Sequence, residues 1–175
     1  MPRLASLDDL LVHGLQDLYH AEGQALKAMP RLIQAATNPD LRQVLEDHRQ
    51  QTEQQIRRLE QAFLLLGVSA KGRKCEGMAG VLEESEQIME ADADAAVMDV
   101  ALIGAAQKVE HYEIAAYGCV CTYAEMLGYD QVNELLGQNL DEEETTDQKL
   151  TALAETVIQE GASDLTVADR TEREA

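Results

Sequence analysis

The stretch AAQKVEHYEIAAYG, residues 105–118, places glutamates where a helix should be apolar. It holds no proline, and its one glycine comes last, so it reads as helix. One face at helical spacing runs Leu102, Ala106, Val109, Glu113, Tyr117. Glu110 lies beside Val109 near that face, and residues three apart on a helix are neighbours. Two carboxylates therefore point toward a core. A buried carboxylate is costly unless it is paired, protonated or bound to a metal.

The same question arises on three other helical stripes. In the first, Glu22 falls between Leu18 and Leu26. In the second, His48 and Thr52 lie on the stripe, with Gln51 and Gln55 beside them. In the last, the stripe Leu136, Leu140, Glu143, Asp147, Leu150, Ala154 carries two acids four apart, with Glu144 as the close alternative to Glu143. Each has an ordinary explanation taken alone. An inward Glu can keep its head in water, Tyr19, Tyr112 or Tyr117 can satisfy a carboxyl, and His48 can be a satisfied core histidine. Together they are harder to explain that way. Glu110 and Glu143 stand roughly equally far from the turn at Gly128, and Glu22 and Gln55 roughly equally far from Pro39. Antiparallel hairpins then bring the polar positions to one height near mid-length. Five carboxylates there (Glu22, Glu110, Glu113, Glu143, Asp147) would repel one another and resist ionisation. Two divalent cations would neutralise most of that charge, and inward carboxylates from several helices are how di-iron and di-manganese bundles are built. The candidate metal ligands are Glu22, His48, Glu110, Glu113, Glu143 and Asp147, with Gln51, Thr52 and Gln55 open as alternatives on the second helix.

The elements that must position these residues are all helical. A start at Ser6 with Asp9 opens a helix that runs through Pro30 to about Ala36, kinked rather than ended by the proline. Asn38 caps a second helix at Pro39, which Gly67 ends. A connection and a shorter helix over about 77–90 follow, then long helices over about 95–127 and 130–159. No stretch alternates as a strand does. Two long hairpins joined by a crossover predict an all-α, ferritin-like four-helix bundle whose long crossover carries an extra short helix. Residues 1–160 are assigned to the bundle and 161–175 to a mobile C-terminal tail.

Composition narrows the function classes. Hydrophobic residues make up 45% of the 175, enough for one packed core, while aromatics are only 3%, as suits packed aliphatic helices. A net charge of −19 argues against nucleic acid and anionic membrane surfaces, which call for basic patches, and fits a protein that attracts cations. No apolar run approaches a membrane span. The N-terminal stretch has acids within its apolar part and no small-residue cleavage pattern, so the cytoplasm is the expected location. Cys75, Cys119 and Cys121 form no zinc pattern and read as reduced structural thiols, with another role for Cys75, in a loop, as the lesser alternative.

The segments DLYHAE (17–22), HRQQTEQQIRRLEQAF (48–63), AAQKVEHYEIAAYG and LDEEETTDQKL (140–150) resemble the YciE/YciF-like family of bacterial ferritin-like, rubrerythrin-related proteins. The resemblance spans roughly residues 5–158. It implies a bundle with an extra short helix, a di-metal centre, a homodimer and a link to stress responses. Two departures stand out: the Glu-x-x-His usual on the second helix of ferritin-like sites is missing, with Gln51 where relatives have Glu, and Asp147 stands where such sites often have His. Hard ions, Fe or Mn, suit that donor set. The expected function is a stress-associated di-metal carboxylate protein that consumes peroxide or oxygen, with Tyr19 or Tyr117 near the bound oxidant. The alternative is a non-enzymatic bundle that acts through a protein partner. Met78, Leu82 and Met89 on the short helix would either supply the dimer contact or cover the bundle.

Overall fold

A computed structural model describes residues 4–160, and the tail assigned to 161–175 lies outside the described residues. Five helices follow in order: α1 (Leu7–Ala35), α2 (Pro39–Leu66), α3 (Glu76–Met89), α4 (Ala95–Met126) and α5 (Asp130–Glu160). Among the described residues there is no strand.

The helix ends show why the elements stop where they do. Ser6 Oγ accepts from the Asp9 amide at 3.1 Å while the Asp9 carboxylate accepts from the Ser6 amide, a reciprocal cap on α1. Pro30 stays within α1 on its exposed side and does not end it. Asn38 Oδ1 caps α2 at the amides of Asp40 and Leu41. Gly67 and Gly128 turn the chain with φ of 67° and 74°, a left-handed conformation that suits residues without a Cβ.

α1 packs on α2, α2 on α5, α5 on α4, and α4 back on α1, which closes a four-helix ring. The crossover helix α3 lies against α1 and α4. Asp99, near the start of α4, accepts from the Thr37 amide at 2.7 Å, the Asn38 amide at 2.9 Å and the Thr37 hydroxyl at 2.5 Å. These bonds pin α4 to the α1–α2 turn. At the opposite end the Tyr129 hydroxyl donates to Asp8 at 2.7 Å and ties the α4–α5 turn to the start of α1. α1 and α4 are therefore antiparallel, and the crossover returns the chain along the full bundle. This is the ferritin-like arrangement.

The apolar core has three parts. One, near Gly128, gathers Leu11, Leu15, Leu59 and Leu136. A second, near the α1–α2 turn, gathers Leu32, Leu41, Leu102 and Leu150. A third joins α3 to α1 and α4 through Met29, Met78 and Val109. Met78 is fully buried there, Leu82 packs beside it, and Met89 packs on the second part. Met78 thus covers the chain's own bundle, while Leu82 and Met89 stay half-buried at its surface. Between the first two parts every long helix contributes buried polar residues.

Candidate metal centre

The polar layer follows from the helical repeat. On α5 the buried face runs Val132, Leu136, Asn139, Glu143, Thr146, Leu150, Val157. On α2 it runs Leu41, Leu45, His48, Thr52, Gln55, Leu59. On α4 it includes Ala106, Glu110, Glu113 and Tyr117, and on α1 Leu18, Glu22 and Ala25. Polar side chains replace apolar ones over about two turns of α2 and α5, at Glu110 and Glu113 on α4 and at Glu22 alone on α1, at one level of the bundle.

His48, Glu110, Glu113 and Glu143 converge there. Each is buried and offers one donor atom, and these atoms all lie within 4.8 Å of one another. His48 Nε2 stands 3.2 Å from Glu110 Oε1 and 3.7 Å from Glu143 Oε2. It is not aligned as a hydrogen bond to either. The free atoms in this layer include Glu22 Oε2, Glu110 Oε2, Glu113 Oε1 and both carboxylate oxygens of Glu143. Buried polar atoms are nearly always satisfied, so this concentration calls for an explanation.

Burial is the first cause that pushes the carboxyls of Glu22, Glu110 and Glu113 well above the ordinary range; the charge of Glu143 comes next for Glu22 and Glu110, and that of Glu22 for Glu113. Burial also lowers His48, which favours the neutral imidazole that a metal ligand needs. Cations would reverse the penalty on the acids, since a nearby positive charge favours the carboxylate form. Three carboxylates and an imidazole with their lone pairs unused fit a hard or borderline divalent ion. The residues present therefore suit a metal, and this group can hold one.

Glu22 joins the layer from α1. Its Oε1 accepts a short hydrogen bond from the Tyr117 hydroxyl. Asn139 Nδ2 in turn donates to that hydroxyl oxygen at 2.9 Å, so the Tyr117 proton is committed to Glu22. Arg58 closes the chain of bonds, donating to Asn139 Oδ1 at 2.9 Å and, with both terminal nitrogens, to Glu142 at 2.7 and 2.8 Å. Glu22 thus has one oxygen fixed and the other, Oε2, free.

A family described as a domain of unknown function, DUF892, matches residues 6–163. The chain belongs to the DUF892 family. Protein YciF of Escherichia coli (strain K12) is 42% identical over 152 residues, 86% of this chain and 92% of that protein. The crystal structure of the E. coli stress protein YciF matches with a TM-score of 0.87 at 41% identity, over 89% of this chain and 99% of that one. YcfI of Rhodopseudomonas palustris matches with a TM-score of 0.83 at 43% identity, over 86% and 96%. A Xanthomonas campestris pv. campestris protein, 24% identical with a TM-score of 0.74 over 91% and 98%, shares the fold. The resemblance to YciE/YciF-like proteins read from the sequence is thereby shown.

Within this DUF892 bundle the predicted residues separate. Glu22, His48, Glu110, Glu113 and Glu143 share the buried layer. Asp147 stands apart at its rim, where its carboxylate meets the exposed His111 at 3.3 Å and Gln107 at 3.2 Å. Glu143 is buried and Glu144 exposed, so of the two Glu143 lies in the layer. Of the candidates on α2, His48 enters the cluster. Thr52 donates back to the His48 carbonyl, and Gln51 lies at the rim as a partner of Thr146. Gln55 is fully buried with both amide atoms free. Tyr19 does not reach the layer: its hydroxyl donates to Glu60 and its ring meets Phe63 edge-on. Asn139 and Thr146 were missed. The signal was present, because Leu136, Asn139, Glu143, Thr146 and Leu150 keep the alternating three-four spacing of a bundle seam.

Cys75 is buried at the start of α3, where its sulfur accepts from the Met78 amide and contacts Asp17 and the Tyr112 hydroxyl. No helix among the described residues is long and apolar enough to cross a membrane.

Proposed function

We propose that this chain is a stress-associated, ferritin-like di-metal protein that holds two divalent ions, iron or manganese, and consumes peroxide or dioxygen. One observation carries the reading: carboxylates from three helices and an imidazole from the fourth meet in the buried middle of the bundle with their donor atoms unused. The E. coli relative's description as a stress protein supports the physiological setting.

His48, Glu110, Glu113 and Glu143 would hold the first ion. Glu143, with both oxygens free, suits sharing between two ions, and Glu22 Oε2 adds a further donor toward a second. The chemistry a bound pair of such ions would supply is the transfer of one electron from each to a small oxidant. The chain's own residues set the conditions. Leu18, Leu45, Leu102 and Leu136 lie above and below the layer and exclude water. Asn139 directs the Tyr117 proton onto Glu22 and so fixes which Glu22 oxygen is free. We place the protein in the cytoplasm, and we take it to be a homodimer because the family resemblance implies one.

The test begins with metal content by mass spectrometry, on protein purified without a metal-affinity tag. About two ions per chain are expected for a di-metal carboxylate site. Anaerobic loading with Fe(II), followed by dioxygen or hydrogen peroxide, should give stoichiometric oxidation and then turnover with a reductant. Full metal content without turnover would favour the non-enzymatic bundle, a reading in keeping with the provisional description of the R. palustris relative as a structural protein. No stoichiometric metal would leave the layer as a network of protonated acids. Light scattering that shows a large hollow shell, rather than a dimer, would point to iron storage.

A further inference from the structure

Two openings approach the polar layer, and their chemistry is opposite. On the α2–α5 face a groove is lined by Asp47, Gln50, Gln51, Gln54, Glu142 and Lys149, all polar or charged. Gln51 meets Thr146 there, and Thr146 meets His48 Nδ1 at 3.4 Å. The second opening is a cavity between α1, α2 and α4 under the edge of α3. Eight of its ten lining residues are apolar, and the other two are His48 and Glu110. Half-buried Ala28 and Leu82 stand toward the surface, buried Met29 and Ala106 line the interior, and the two ligand candidates form the inner wall.

The cavity leaves ≈ 20 Å³ for the centre of a water-sized molecule. One water needs about 10–15 Å³ on that measure, and it also needs two to four polar partners. This wall offers polar atoms at one side only, and a carboxylate and imidazole bound to metal would have fewer still. Enclosed apolar cavities stay dry and accept apolar guests such as xenon, and this smaller pocket is apolar everywhere but its inner wall. A hydrated cation or hydrogen peroxide, by contrast, would lose its hydrogen bonds on entry.

We propose that this cavity is a binding and entry site for a small apolar molecule, dioxygen by class, beside His48 and Glu110, and that hydrogen peroxide does not use it. The dioxygen assignment rests on the metal reading above. The preference for an apolar guest rests on the cavity alone.

Crystals of the metal-free chain pressurised with xenon should show xenon between Met29, Leu82 and Ala106. Ala28→Phe should fill the outer end, remove the xenon and leave the iron content unchanged. In the Fe(II)-loaded protein it should slow oxidation by dioxygen about tenfold, a barrier change of about 1.4 kcal/mol, with oxidation by hydrogen peroxide unchanged. In the dioxygen reaction one O2 would take an electron from each of two Fe(II) ions and a proton from each of two waters, giving one hydrogen peroxide, two Fe(III) and two hydroxide ions. Leu82→Ala should widen the mouth, raise xenon occupancy and quicken the dioxygen reaction. No xenon in the wild-type cavity would overturn the proposal, as would an Ala28→Phe variant that slows both oxidants alike or a Leu82→Ala variant that changes neither. Xenon in a chain that takes up no iron would sink the metal reading and the dioxygen assignment while leaving the apolar site in place.

Discussion

The leucine cluster near Gly128 and the carboxylate layer one turn below it exclude water equally well. Leu15, Leu59 and Leu136 have no exposed surface, and neither do Glu22 and Glu143. They differ in what burial does to them. For the leucines it is the stabilising event, worth roughly 1.5–3 kcal/mol per side chain. For the acids it is a cost, and partners offset only part of it: Tyr117 serves one oxygen of Glu22, while Glu143 has no hydrogen bond at either oxygen. Depth in the core therefore does not mark a functional residue here. The mark is a buried group whose bonding capacity is unused, and the apolar ends of the bundle are stable enough to carry a layer of them.

The largest expected effect breaks the layer. Glu110→Ala with Glu143→Ala should lower metal content from about two ions per chain to none, and retention of metal in that variant would show that these carboxylates are not ligands. The same positions sharpen the comparison without metal. Glu110→Leu with Glu143→Leu should stabilise the metal-free chain by roughly 1–4 kcal/mol in urea denaturation, as when buried charges give way to apolar side chains.

Leu136→Ala, one turn from Asn139, tests the other side. It should cost about 2–5 kcal/mol for the leucine and the space it leaves, with metal content unchanged. A loss of metal would mean that the two regions are not separable.

A smaller effect concerns pH. Glu22, Glu110 and Glu113 are raised above 4.5, so above that value the metal-free folded chain keeps protons that the unfolded chain has released. Stability then falls as pH rises from 4.5 toward the raised values. His48, lowered below 6.5, acts oppositely between its lowered value and 6.5, as one group against three. The urea midpoint of the metal-free protein should decline more steeply between about pH 5 and pH 7 than that of a Glu110→Gln, Glu113→Gln variant. Equal slopes would contradict the account of costly buried acids. With metal bound the trend reverses, because binding requires the deprotonated ligands.

The smallest effect is at the rim. Asp147→Ala should change stability by no more than about 1 kcal/mol, as for other partly exposed polar contacts, and the protein should keep its metal on gel filtration into metal-free buffer. Loss of one ion would restore Asp147 to the ligand set suggested by its place in the sequence.

How much of this was legible beforehand depended on the kind of signal. Helix ends were local, so Ser6 with Asp9, Asn38 with Pro39, and the glycines 67 and 128 set the boundaries within a residue or two. Glu22, Glu110, Glu113 and Glu143 were legible because an acid inside an apolar stripe is conspicuous at any nearby register. Asp147 and Thr146 were not separable that way. Adjacent residues are rotated by about 100° on a helix, and a stripe drawn as Glu143, Asp147 differs by one residue from the buried Glu143, Thr146. On α2 the same ambiguity hid the full burial of Gln55 beside the half-buried Ile56.

The helices, the hairpin-crossover-hairpin order and the acids on inward faces are written locally in the chain, because capping and periodicity act within a few residues. Packing in three dimensions sets which donor atoms meet. That depends on the rotation of each helix about its own axis, set by packing with its neighbours. It also decided that α3 covers one side of the bundle and leaves an apolar cavity against His48 and Glu110. No single helix encodes such a space, because its walls come from four of them.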